Sequence, residues 1–286
     1  MARVRGMVCR GPLIIPPGSP KTLIVNDSTN SVTRNQLIRE RPAGMTQLPL
    51  HKPADAAGPQ ALISIIIPIY NEEELLPVVL REVRQLPLRM ELILVDDHSR
   101  DRTPEILAEE AKRPDTRVFR HEVNRGKGAA IVTGLKHATG DIVIVQDADM
   151  EYDPRDILKV IEPILRGETR VCYGSRFKGK VVGMRLPNRI ANWLLAWLVT
   201  ILYGQRITDE ATAYKAFRRE VIQDVDLKCQ RFEFCPEVTA KVMKAGEKII
   251  EVPVLYRART FEEGKKIGFR DFITAVNTLV KYRLFK

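Results

Sequence analysis

Residues 63–72 read ISIIIPIYNE, a seven-residue β-branched run that breaks into polar groups at Tyr70, Asn71 and Glu72. Two more runs follow the same plan: ELILV at 91–95, ending in Asp96-Asp97, and DIVIV at 141–145, ending in Gln146-Asp147-Ala148-Asp149. A weaker pair, Val118–Phe119, is similarly placed. Between and after them lie stretches with helical spacing, 73–86, 103–112, 128–138 and 154–165. Continuous apolar strands alternating with helices predict an α/β domain whose mostly parallel sheet is covered on both faces. In such a sheet a ligand binds at the carboxyl ends of the strands, which here bring polar and mostly acidic groups to one edge.

The rest of the composition narrows the class. The chain has 286 residues, 44% hydrophobic and 29% charged, ordinary values for a globular protein. Its net charge of +10 favours anionic partners such as nucleotide phosphates, nucleic acid or an acidic membrane surface. Residues 1–60 hold 8 of the 18 prolines, none of the aromatic residues and +5 of that charge. They are read as a disordered, basic, Pro-rich tail, with the folded domain at 61–286. Because half the excess charge sits in that tail and the strand ends are acidic, nucleic acid is not the expected partner. The four cysteines form no CxxC pair, which argues against a zinc site or a disulfide scaffold and for a cytosolic or cytosol-facing protein.

Asp147 and Asp149, at i and i+2 in an extended turn, can both reach one hard cation, and Mg²⁺ or Mn²⁺ carrying a nucleoside diphosphate suits that pair. The same acids also suit a turn or a helix cap. For Asp153-Pro154 a helix start is the preferred reading. Asn124-Arg125-Gly126-Lys127-Gly128 opens the helix at 128–138, either as an anion seat at the helix N-terminus or as a solvated glycine loop.

Taken in order, IPIYNEEE, VDDHSRDRT, NRGKGAA, QDADMEYDP, GSRF and TDEATAYKAFRREV resemble glycosyltransferase family 2, nearest to the polyprenyl-phosphate and dolichyl-phosphate mannosyl- and glucosyltransferases. The resemblance runs from about Leu62 to the C-terminus. It implies a GT-A (Rossmann-like) fold, a nucleotide-sugar donor (GDP-mannose or UDP-glucose, mannose favoured), one Mg²⁺ or Mn²⁺ and inversion at the anomeric carbon. It also implies that Pro68, Tyr70, Glu72, Asp97, Lys127 and Asp147 bind the donor, and that Asp147, Asp149 and Glu151 hold the metal. Arg176, Arg189, Thr212, Arg259 and Lys265 (with Lys266) would meet the acceptor phosphate. Asp149, Asp209 and Arg176 are the residues expected to carry catalysis. A polyprenyl phosphate is already anionic and needs little general-base help, whereas a saccharide hydroxyl acceptor would need a carboxylate, for which Asp209 is the candidate. A catalytically silent nucleotide-sugar-binding or membrane-tethering protein is the reading from another class.

Residues 190–205, IANWLLAWLVTILYGQ, contain no charge but are too short to span a bilayer comfortably. With Arg185 and Arg189 before them and Trp193 and Trp197 on one face, residues 186–205 read as an interfacial helix, the alternative being a core helix. Residues 271–286 carry a helical apolar stripe ending in Lys281, Arg283 and Lys286, which suits lipid headgroups or simply a helix C-terminus. The expectation is a peripheral protein on the cytosolic face of a membrane, anchored directly or through a membrane-protein partner.

Overall fold

The computed structural model describes residues 61–259 and 268–285. The proposed tail at 1–60, together with Lys265 and Lys266, lies outside them. The described elements belong to one unit, Pro53–Lys286.

The four expected strands form as β1 (Ile63–Ile69), β2 (Met90–Asp96), β3 (Thr116–Arg120) and β4 (Ile142–Val145), all parallel, in the order β3-β2-β1-β4. Every residue of β1 is buried, in keeping with a strand in which five of seven residues are isoleucine. Ile63, Ile65, Ile67 and Ile69 face one core layer with α1 (Leu76–Arg84) and α4 (Asp156–Leu165). Ile66 faces the other, against α3 (Lys127–His137). Truncating one of these isoleucines to alanine costs about 2–5 kcal/mol. α2 (Thr103–Glu110) carries a proline in its first turn, where the missing N–H goes unneeded.

Sequence periodicity left the second half of the sheet unread. β5 (Val171–Val182), β6 (Lys215–Arg218) and β7 (Ile249–Arg257) extend it in the order β4-β6-β5-β7. β6 is antiparallel to both β4 and β5, whereas β5 and β7 are parallel. That reversal decides where the chemistry lies. The amino end of β6, preceded by Asp209–Tyr214, comes to the same edge as the carboxyl ends of β1, β2 and β4. α5 (Leu186–Tyr203) and α8 (Phe269–Leu284) pack together, and α8 also packs on α7 (Phe234–Lys244); the short α6 (Arg219–Gln223) follows β6.

Candidate active site

The non-glycine residues found in left-handed backbone among the described residues are Asn71, His98 and Met150, one on each loop that follows β1, β2 and β4. Such backbone is costly and persists where surrounding structure enforces it, commonly at functional edges. The turn at Met150 folds Glu151 N back to donate to Asp149 Oδ1 at 3.1 Å.

Four carboxylates gather there around two cations. Lys127 Nζ lies 2.6 and 2.8 Å from the two oxygens of Asp147. Arg259, just beyond β7, donates to Asp149 at 2.8 Å and to Glu72 at 3.2 Å, and its Nε lies 3.9 Å from Glu151. Burial first, then the charges of Asp147 and Glu151, raise the Asp149 pKa to about 7. Burial works against the Lys127 charge, but Asp147 and Asp149 outweigh it and hold the ammonium above its ordinary pKa. A cluster that raises the pKa of its own acid and draws in a guanidinium is short of positive charge.

Asp147 and Asp149 therefore fit a hard divalent cation by their oxygen donors and their surplus negative charge. No group of three His, Cys, Asp or Glu side chains converges in metal-binding geometry among the described residues. Mg²⁺ does not need one, because it is commonly held by one or two carboxylates with substrate phosphates and water. Glu151 is placed elsewhere than the expected third ligand. Its Oε2 accepts from Tyr256 Oη at 2.9 Å and its Oε1 from Arg259 N at 2.8 Å, so it straps β7 and the following residues to the β4 loop.

The β2 loop also differs from expectation. Asp97, read as a contact for base or ribose, is buried. Its Oδ1 takes His121 Nδ1 (2.7 Å) and Arg125 N (2.8 Å), and its Oδ2 takes Gly126 N (2.7 Å). It thus fixes the loop that opens α3. Gly126 has φ +95°, and a Cβ there would stand 2.5 Å from Gln230 O. Gly128 N and Ala129 N donate to the carbonyls of Arg231 and Gln230. With those amides engaged, the helix N-terminus is not an open anion seat, and Lys127 is left as its cationic contribution. Pro68 is buried within β1, and Tyr70 and Glu72 follow at its carboxyl end.

On the other side of the edge, Arg176 and Asp209 form a closed pair. Arg176 Nε and Nη2 each lie 2.7 Å from an Asp209 oxygen, and Arg176 N donates to the same carboxylate at 2.9 Å. Asp209 is 0% exposed. Burial opposes the Arg176 charge, but Asp209 overrides it and keeps the pKa well above the usual value. The guanidinium also stacks 5.0 Å from the Tyr256 ring and donates to Asn192 of α5 at 3.2 Å. Thr212, expected beside the acceptor, serves the scaffold instead. Its hydroxyl donates to Gly174 O at 2.6 Å and accepts from Tyr214 N at 3.2 Å. Arg189 is exposed in the first turn of α5, one turn ahead of Asn192.

α5 has two unlike faces. Leu195, Ala196 and Val199 are buried, whereas Leu186, Ile190, Trp193, Trp197 and Ile201 form an exposed stripe, with Trp193 62% exposed. It is thus not a core helix throughout, and no described helix is long and apolar enough to cross a membrane. Large exposed apolar patches mark interaction surfaces.

Residues 64–226 match glycosyl transferase family 2. The chain is 32% identical over 219 residues to the uncharacterized protein MJ1222 of Methanocaldococcus jannaschii, covering 73% of this chain and 88% of that one. It is also 32% identical over 235 residues to a UDP-N-acetylglucosamine–dolichyl-phosphate N-acetylglucosaminyltransferase of Methanococcus voltae, covering 74% and 93%. To a dolichol-phosphate mannosyltransferase of Pyrococcus furiosus it is 31% identical over 228 residues, 77% of this chain but only 64% of that relative's length. Among solved structures, glucosyl-3-phosphoglycerate synthase of Mycobacterium tuberculosis, in complex with Mn²⁺, UDP and phosphoglyceric acid, superposes with a TM-score of 0.61. There the identity is 23%, with 78% of each chain covered. The fold is GT-A.

Proposed function

From the premise that this chain is a member of glycosyl transferase family 2, we propose that it moves a hexose from a nucleotide sugar to a polyprenyl or dolichyl phosphate, with inversion. The observation that carries the choice of acceptor is the Arg176–Asp209 pair. A saccharide hydroxyl would need a carboxylate base, and Asp209, the candidate for that work, is sealed from solvent and doubly bonded by a guanidinium. A lipid phosphate brings its own anionic nucleophile. The names of the Methanococcus and Pyrococcus relatives, both acting on dolichyl phosphates, support the same acceptor class. Their sugars differ, and mannose is the first donor to test, glucose the next.

In this reading a phosphate oxygen of the acceptor attacks the anomeric carbon, the bond from that carbon to the nucleoside diphosphate breaks, and the diphosphate leaves. Asp147 and Asp149 would hold Mg²⁺ or Mn²⁺, which when bound neutralises charge on the leaving diphosphate. Lys127 fixes Asp147 and adds a permanent positive charge beside it. Asp97 and Gly126 hold the loop that presents Lys127, while Pro68, Tyr70 and Glu72 edge the nucleoside pocket. Arg176 is held rigid by Asp209 and Asn192, so a phosphate reaching it meets a charge that needs no reorganisation. Arg189 and Arg259 are the further cations for that phosphate. The exposed stripe of α5 would lie against the lipid surface, with Asn192 linking the same helix to Arg176, and the protein would sit peripherally on the cytosolic face.

The test offers purified protein a panel of radiolabelled GDP- and UDP-sugars with Mn²⁺ and a polyprenyl phosphate in detergent, beside an Asp149→Ala control. Label entering the organic phase from one donor, and lost in the control, is the expected result. Transfer to a soluble saccharide with none to lipid would overturn the acceptor, and no transfer from any donor would favour a silent binding protein.

A further inference from the structure

The lysine beside Asp147 is aimed from a distance. Lys127 is the first residue of α3, and the loop ahead of it hangs on the Asp97 carboxylate through Arg125 N and Gly126 N. Both of those bonds come from the loop's own main chain, so they tie the loop to Asp97 but do not orient Asp97 itself. Among the described residues one side chain bonds that carboxylate: the buried imidazole of His121, from Nδ1 at 2.7 Å. A carboxylate only accepts, so Nδ1 is the donor. The opposite ring nitrogen, Nε2, lies 2.9 Å from Thr133 Oγ1, in α3 itself. The main chain of His121 is also held, its N donating to Asp96 O at 2.9 Å.

His121 is thus fixed at three points: on β2 through Asp96, on the Asp97 carboxylate, and on the helix that begins with Lys127. It lies between the motifs VDDHSRDRT and NRGKGAA and in neither. Thr133 is under two turns of helix beyond Lys127, so the imidazole grips α3 on one side of the lysine. Through Asp97 it grips the loop on the other side. Lys127 reaches the two Asp147 oxygens at 2.6 and 2.8 Å. A displacement of about 1 Å would carry such contacts past hydrogen-bond range.

We propose that His121 is a positioning residue of the donor site: by orienting the Asp97 carboxylate and holding α3 at Thr133, it keeps Lys127 on Asp147, beside the donor's diphosphate. This rests on the nucleotide-sugar reading above. His121 itself touches no substrate, and its whole effect on binding passes through the lysine.

Calorimetric titration of the full chain with UDP and GDP in the presence of Mn²⁺ tests this. His121→Phe keeps a ring of similar volume and removes both side-chain bonds, and it should lower affinity for the diphosphate that wild type prefers about tenfold. His121→Asn, which has an amide in place of Nδ1 and nothing in place of Nε2, should regain part of that loss. Thr133→Val removes only the helix contact and should cost about threefold. The deciding comparison is made without the lysine. Lys127→Met should itself weaken binding by about tenfold or more, and adding His121→Phe to it should cost nothing further. The same factor lost from both backgrounds would overturn the proposal, since it would mark a general support of the fold. So would wild-type affinity in His121→Phe, or in Lys127→Met. Should His121→Phe fail to fold, Thr133→Val with and without Lys127→Met makes the same comparison. Wild type that binds neither diphosphate would overturn the donor reading itself, and this inference with it.

Discussion

At the β1–β4 end of the sheet, Glu72, Asp147, Asp149 and Glu151 share Lys127 and Arg259; at the β5–β6 end, Arg176 and Asp209 meet one to one. The first group has more negative charge than its cations balance, and burial and repulsion raise the Asp149 pKa. The second is balanced within itself, bonded on both guanidinium nitrogens that face the acid. Surplus charge leaves room for a visiting cation and its phosphates. A closed pair has no such vacancy, and it gives position: a fixed arginine beside the helix with the exposed apolar stripe.

The widest separation between the two clusters should come from neutralising each. Asp149→Asn should lower transfer about 10³-fold by removing a proposed metal oxygen. Its thermal melt without metal should hold or rise, because a strained charge has gone. A melt that falls sharply would place Asp149 with the scaffold. Arg176→Ala should do the reverse to stability, leaving Asp209 buried and unpaired at a cost of about 3–5 kcal/mol in urea denaturation. A cost under about 1 kcal/mol would show that the pair is not closed in solution.

Smaller effects are expected further out. Trp193→Ser with Trp197→Ser should leave urea stability nearly unchanged, since both side chains are largely exposed, and should weaken co-sedimentation with anionic vesicles about tenfold. Unchanged vesicle binding would separate α5 from the membrane. The smallest signal should come from Glu210, buried next to Asp209. From about pH 4.5 to about 7 the unfolded chain releases this proton while the folded chain keeps it, so its contribution to stability is lost as pH rises through that window. Glu210→Gln should flatten the corresponding slope of melting temperature against pH. A wild-type slope retained in the variant would assign it to other groups.

The strands β1, β2 and β4 of the parallel half were readable because they are largely buried on both faces and so are mostly apolar, as ISIIIPI shows, whereas half-exposed β3 gave only Val118–Phe119. The antiparallel half hid because β6 is only four residues long and β5 carries its polar groups, Ser175 and Arg176, inside the strand. In the site, adjacency along the chain revealed Asp147 and Asp149, but contacts made across long sequence separations did not show. Arg259 reaches Asp149 across 110 residues, and Arg176 reaches Asp209 across 33. Nothing in TDEATAYK distinguishes Asp209, which binds the Arg176 guanidinium, from its equally buried neighbour Glu210. The hydroxyl of Thr212 and the carboxylates of Asp97 and Glu151 looked available because a sequence shows which side chains can donate or accept, but not which are already engaged.

Helix α5 also sets a distance. Its tryptophans and Asn192 lie on different faces of one helical rod, roughly 100–140° apart, and such a rod is roughly 10 Å across. If the stripe rests on a lipid surface, the Arg176 guanidinium stands up to about one rod's width above it, as a gauge block sets a tool above a bed. A phosphate on a long flexible isoprenoid can rise that far while the rest of its chain stays in the bilayer. A headgroup on a short or stiff lipid cannot, so the thickness of a single helix would act as a filter on acceptor length before any residue reads its chemistry.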